Sequence, residues 1–173
     1  ISLSSTFVVD AALSPDCKTV AVVTMDQEGG TFLSQVLFFP VDQKEPKAQV
    51  SLGSVTVLDL DYEDGLLWVL GEDRVMTLSD DGKSANSYPF GRSYLKGCDF
   101  GVEGFALLLL GRYRAGSANQ VMTIDPEGEV RSSMELRSQV LDFDSAGGYC
   151  SLLTGSRLTI YTPELVEYAR LGD

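Results

Sequence analysis

The sequence predicts an all-β fold built from four copies of one four-stranded antiparallel unit. Three observations carry this reading. The chain can be laid on itself four times, from Val8, Val57, Leu95 and Val140, with VLDLD at 57–61 matching VLDFD at 140–144. Each copy contains one stretch that is apolar at nearly every position: TVAVV, LLWVL, FALLLL and YCSLL. Continuous apolarity over so few residues indicates a strand covered on both faces, whereas a one-sided strand alternates. Finally, no segment shows convincing helical periodicity.

The elements of each copy follow in a fixed order. A short first strand ends in an acidic or small-residue turn: SPDCK, YEDG, GVEG or SAGG. The apolar second strand comes next, then a hairpin, then a third strand: QVLFFPV, RVMTLS, QVMTID or RLTIYT. A turn rich in Asp, Gly or Pro leads to a last, more polar strand: KAQVSL, SANSYPF, VRSSMEL or VEYARL. TPELVEYARL at 162–171 could pass as a short helix in isolation, but its alignment with the other fourth strands assigns it to β. The copies start 49, 38 and 45 residues apart. These intervals bracket the roughly 40–45 residues of a four-stranded propeller blade. The expected blades run approximately over 7–53, 54–92, 93–138 and 139–173 of a single domain, apolarity falling from axis to rim.

LSPDCKTVAVV resembles the turn and strand of bacterial WD40-like, YVTN-like and TolB-like β-propeller repeats. DRVMTLSDDGK, QVMTIDPEGEV and RLTIYTPEL resemble their third strand and following turn. The resemblance covers almost the whole chain. It departs at Cys17, where Gly is usual, and lacks the G-H and W-D pairs of the eukaryotic WD40 pattern. No Gln/Trp docking motif of quinoprotein dehydrogenases is present, so no cofactor is implied. The chain is also similar to uncharacterised, membrane-anchored extracytoplasmic propellers of Gram-positive bacteria. That likeness implies an extracytoplasmic setting, with a cytoplasmic one as the alternative. Four copies sit at the small end of the usual range of about four to eight blades. The expectation is a part of a seven- or eight-bladed parent, or a two-fold homodimer completing a ring. A closed four-bladed ring is the next alternative, and a β-sandwich the third. The opening ISLSSTF has no Met and no signal-peptide pattern, consistent with a segment of a longer chain.

Composition excludes several function classes. With 13 Lys and Arg against 25 Asp and Glu, the net charge is −12 over 173 residues. Nucleic acids and anionic membranes require cationic surfaces, so neither is an expected partner. The chain has no His, which removes a Ser-His-Asp triad and any His-bearing zinc site. Cys17, Cys98 and Cys150 are widely spaced and odd in number, so they read as small apolar residues, with a Cys98–Cys150 bridge left open. The longest apolar run, FALLLL at 105–110, is strand-sized and far short of a membrane span.

In a propeller the loops joining second and third strands share a face with the connections between blades. Two of these loops are expected to be tight, at 71–73 and 154–156. Two are expected to be long, MDQEGGTFLSQ at 25–35 and GRYRAGSANQ at 111–120. Long loops on a rigid scaffold are where recognition concentrates. Arg112, Tyr113 and Arg114 set two guanidinium forks around an aromatic ring, a combination suited to carboxylate or phosphate groups. Arg92, Tyr94 and Lys96, on the connection FGRSYLKG, are expected nearby. The D-x-D pairs Asp59/Asp61 and Asp142/Asp144 could offer oxygens to Ca²⁺, but two carboxylates alone are a weak pattern, and strand-end capping or a solvated channel is the preferred reading. Trp68 in LLWVL reads as core.

The functional expectation is a non-catalytic scaffold module binding a protein or peptide partner through one loop face. A ligand- or glycan-binding sensor of the cell envelope is the alternative. A carboxylate-based hydrolase is the least supported, since no spacing suggests a working pair.

Overall fold

A computed structural model describes residues 7–101 and 103–172. The described residues form sixteen strands and no helix. The first sheet contains β1 (Phe7–Leu13), β2 (Thr19–Glu28), β3 (Thr31–Pro40) and β4 (Ala48–Gly53). The second contains β5 (Val57–Glu63), β6 (Leu66–Gly71), β7 (Arg74–Leu78) and β8 (Ala85–Pro89). The third contains β9 (Tyr94–Gly101), β10 (Phe105–Gly111), β11 (Gln120–Ile124) and β12 (Val130–Glu135). The fourth contains β13 (Asp142–Ala146), β14 (Tyr149–Thr154), β15 (Arg157–Tyr161) and β16 (Glu167–Leu171). Each sheet has its four strands in sequence order, and every ladder with a defined register is antiparallel. The expected all-β, four-by-four architecture is therefore observed, and 167–171 is a strand. The chain divides into two compact units, residues 1–87 and 88–173, with the boundary inside β8.

Burial follows the apolar runs. Every residue of β10 is buried, as are five of six in β6, including Trp68. Burial does not fall steadily from the first strand outward. It peaks in the second and third strands, while β1 and β13 alternate between exposed and half-buried positions. On β13 the D-x-D carboxylates need water or a backbone donor, so one side stays open, whereas on β1 the exposed positions include the apolar Phe7, Val8, Val9 and Leu13. Asp59, Asp61 and Asp142 each accept the backbone N–H of the next residue, at 2.8–3.0 Å. No group of three or more His, Cys, Asp or Glu is placed to hold a metal ion among the described residues.

In the first unit, Ala21, Val23, Val36 and Phe38 of β2 and β3 pack against Leu60, Leu67, Val69 and Leu78 of the second sheet. In the second unit, Phe105, Leu107, Leu109 and Val121 pack against Cys150, Leu152 and Leu165. No disulfide joins the three cysteines, and burial pushes the Cys150 thiol up to about 11, so it stays a neutral core group.

Polar ties join the sheets within each unit. The turn after β7 reaches the first sheet, where Asp80 Oδ2 accepts Lys47 Nζ at 2.6 Å and Thr19 Oγ1 at 3.2 Å. The equivalent turn after β15 reaches the third sheet. There Thr123 Oγ1 donates to the Pro163 carbonyl, Ser132 Oγ to the Glu164 carbonyl, and Arg131 pairs with Glu164 at 2.7 Å.

One turn design is used twice. In 14–19, Ser14 Oγ donates to Asp16 Oδ1, Lys18 N donates to the same oxygen, and Thr19 N donates to Ser14 Oγ. In 79–84, Ser79, Asp81, Lys83 and Ser84 repeat these bonds, at 2.7, 3.1 and 2.9 Å. The fourth position is left-handed in both, with φ 71° at Gly82 and φ 57° at Cys17. A side chain is disfavoured there because Cβ crowds the backbone carbonyl. Cys17→Gly should therefore raise the unfolding free energy by about 0.5–1 kcal/mol, net of the entropy a glycine adds to the unfolded chain. Urea titration would read this as a higher midpoint; a lower midpoint would mean that the exposed thiol contributes packing.

One expectation is corrected. Residues 25–35 are not a loop. Met25 and Ser34 still lie within the four-stranded sheet, and β2 and β3 continue past it as a two-stranded ribbon, paired Asp26↔Leu33, Gln27↔Phe32 and Glu28↔Thr31. Gly29 and Gly30 close it, at φ 58° and 86°. Positive φ at both central residues matches a two-residue hairpin turn to the strand twist.

Candidate partner-binding face

The second long segment is a loop, as expected. β10 ends at Gly111, β11 begins at Gln120, and 112–119 span the gap. Its base is clamped. Arg112 N donates to Asn119 Oδ1 at 2.9 Å, Asn119 N to the Leu110 carbonyl, and Leu136 N to the Asn119 carbonyl. Asn119 thus ties the loop to the end of β12, a role its position in the sequence does not announce.

The six residues singled out from sequence divide by role. Tyr113 is three-quarters exposed, and its neighbours Arg112 and Arg114 are exposed beside it. Arg112 comes no nearer than 3.9 Å to Glu135, a solvated pair worth little. Tyr94 is brought close by the ladder, paired with Gly111. Lys96 is half-buried, and its Nζ donates to the Arg114 carbonyl at 2.8 Å. Its stem lies against Gly111, where an added Cβ would overlap Lys96 Cε. Lys96 is thereby a strut under the loop. Arg92 sits in the turn before β9 and makes no hydrogen bond or ion pair to the loop among the described residues.

Beside the strut lies a pocket of about 400 Å³, lined by Lys96, Leu109, Ser117, Ala118, Val140 and Phe143, with Asp142 as its single carboxylate. Phe143 reaches it from β13 by lying over Gly97, whose missing Cβ leaves room for the ring. The loop after β10 and the connection 136–141 therefore share one edge of the second unit. Sequence reasoning identified the loop, and singled out Asp142 for another role, but not Gln139–Leu141 and Phe143, whose contribution depends on how the fourth sheet docks.

Sequential four-stranded antiparallel sheets of this kind are of the propeller-blade type, and the solved structures that match share this fold. No protein-family model and no curated protein matches the chain. Solved structures do. The Pan2 WD40 domain of Neurospora crassa is 16% identical with a TM-score of 0.54, over 95% of this chain and 49% of that one. AztD of Citrobacter koseri is 11% identical with a TM-score of 0.59, over 95% of this chain and 46% of that one. A protein of unknown function from Bacteroides caccae is 13% identical with a TM-score of 0.50, over 98% and 62%. The chain thus spans about half the length of the structures it matches, and at these identities the likeness concerns the fold.

Proposed function

We propose that the chain is a non-catalytic propeller module that binds a protein or peptide partner through the loop at 112–119. The carrying observation is the display of Arg112, Tyr113 and Arg114 on a loop whose base is fixed by Asn119 and Lys96. An exposed aromatic between two guanidinium groups, on a pre-ordered base, loses little entropy on binding and meets carboxylates or phosphates with paired donors. The adjacent pocket offers one carboxylate, so it supplies no acid and base pair. The same pocket favours a second reading, a small-molecule or glycan sensor on an extracytoplasmic parent, since its volume lies within the range of ligand sites.

Screening against a panel of acidic and phosphorylated peptides tests the first reading. The expected result is binding that weakens with added salt, and a loss of about tenfold or more in the R112A/R114A double variant. Peptides that bind the variant as tightly as the parent would overturn it. Binding of neutral saccharides alone, blocked by Gly97→Ala through displacement of the Phe143 ring, would favour the second reading.

A further inference from the structure

The arginines are unevenly placed. Residues 1–87 carry five Lys and Arg against fourteen Asp and Glu, and residues 88–173 carry eight against eleven. Seven of the eight arginines fall in the second set, and three line one groove. This groove, about 590 Å³, lies between the end of β12 and one face of β14–β16. Its construction follows from register. Thr154 pairs with Arg157, and Thr159 stands between Leu152 and Arg170, so these side chains occupy one face of the fourth sheet. Arg137 approaches from the connection after β12.

The three guanidinium groups are in different states. Arg170 is held by Glu167. Arg157 is half-buried, and its Nε is shielded from solvent without an acceptor among the described residues. Arg137 is exposed and has no ion-pair partner among them. A shielded cationic N–H donor lacking an acceptor is unfavourable, and native proteins leave few such groups. The described residues supply no acceptor, and a turn of the guanidinium toward the groove would bring this donor to one bound there. Met134, Leu136 and Leu152 give the groove an apolar floor.

We infer that this groove is an oxyanion site, in which Arg137 and Arg157 receive a carboxylate or phosphate group whose short apolar body rests on Leu136 and Leu152. Guanidinium forks match both oxyanions in paired geometry and stay charged at any physiological pH. The site does not rest on the loop reading, because none of its arginines belongs to the loop at 112–119.

The test is a titration of the ¹⁵N-labelled chain with inorganic phosphate, with glutarate and with a triglutamate peptide. Saturable shifts are expected at the Arg157, Thr159 and Arg170 amides, with a dissociation constant below about 1 mM for at least one probe. R137A, at an exposed position, should weaken binding about tenfold, and R157Q at least as much. Saturation by phosphate or glutarate as tight as by the peptide identifies a free small anion as the ligand; saturation by the peptide alone identifies an acidic chain. Shifts that remain linear with all three probes, or affinity unchanged in both R137A and R157Q, overturn the assignment. The R112A/R114A variant should bind the probes normally. Loss of binding in that variant alone would place the anion on the loop and remove it from the groove.

Discussion

Phe105→Ala should lower the stability of the second unit by about 3–5 kcal/mol, the range for deleting a fully buried aromatic side chain. Phe105 is completely buried, belongs to the apolar cluster that joins the third and fourth sheets, and pairs across the ladder with Gly101. Its ring lies over that glycine so closely that a Cβ on Gly101 would overlap three ring atoms. The glycine and the ring therefore form one packing unit. Gly101→Ala alone should cost about 1–3 kcal/mol by overpacking, and in the G101A/F105L pair the losses should sum to less than the two single changes. Amide exchange at Leu107, Leu109 and Leu152 reports the second unit directly. Fluorescence would not, since the single tryptophan, Trp68, belongs to the first. A loss below about 1 kcal/mol for F105A would mean that the neighbouring side chains close the cavity, against the close packing observed.

Asp99→Ala should cost about 1–3 kcal/mol, more than removal of any exposed ion pair in the molecule. Asp99 lies on β9 opposite Leu107, and its Oδ2 accepts both the backbone N–H and the hydroxyl of Ser145 on β13, the latter at 2.8 Å. It is the polar tie between two first strands. Truncation leaves two partly buried donors without an acceptor, the expensive half of a broken hydrogen bond. Asp99→Asn retains an acceptor oxygen and should lose less. Equal stability of D99A and the parent in urea titration would show that water replaces the carboxylate freely.

Much of the fold was legible because strand burial and strand sequence are the same signal. FALLLL and LLWVL could belong only to strands covered on both faces, and they became β10 and β6. The turns at 14–19 and 79–84 were legible as acidic breaks between apolar runs; their shared Ser-x-Asp bonding emerged only from the structure. The ribbon at 26–33 was misread because its first strand, Asp26–Glu28, is polar, and polarity resembles a loop when the pairing partners Leu33 and Phe32 are not seen. Gly29–Gly30 was the signal available: two adjacent glycines flanked by residues able to alternate. For the site, the loop carrying Arg112–Tyr113–Arg114 was visible as an interval between strands. Lys96 was read as a ligand contact; it falls at a shift in the β9–β10 register, its stem lies against Gly111, and its Nζ donates to the Arg114 carbonyl. Arg137, Arg157 and Arg170 were not legible as a group. They are distant in sequence, and only the pairing of β14, β15 and β16 together with the docking of the connection after β12 brings them to one groove.

The strict sequence order of strands has a consequence for how the chain reaches this state. Every strand pairs only with the one before or after it in the chain, so each ladder closes over a short contour length. The entropy lost on closing such loops grows only slowly with their length and is small here, which favours rapid formation of the individual meanders. What remains is the docking of preformed sheets through Phe38, Phe105 and their neighbours, the step that joins distant residues. The kinetic barrier of each unit should therefore lie in sheet-to-sheet assembly, and substitutions at Phe105 should act on the folding rate more strongly than substitutions in the hairpin turns.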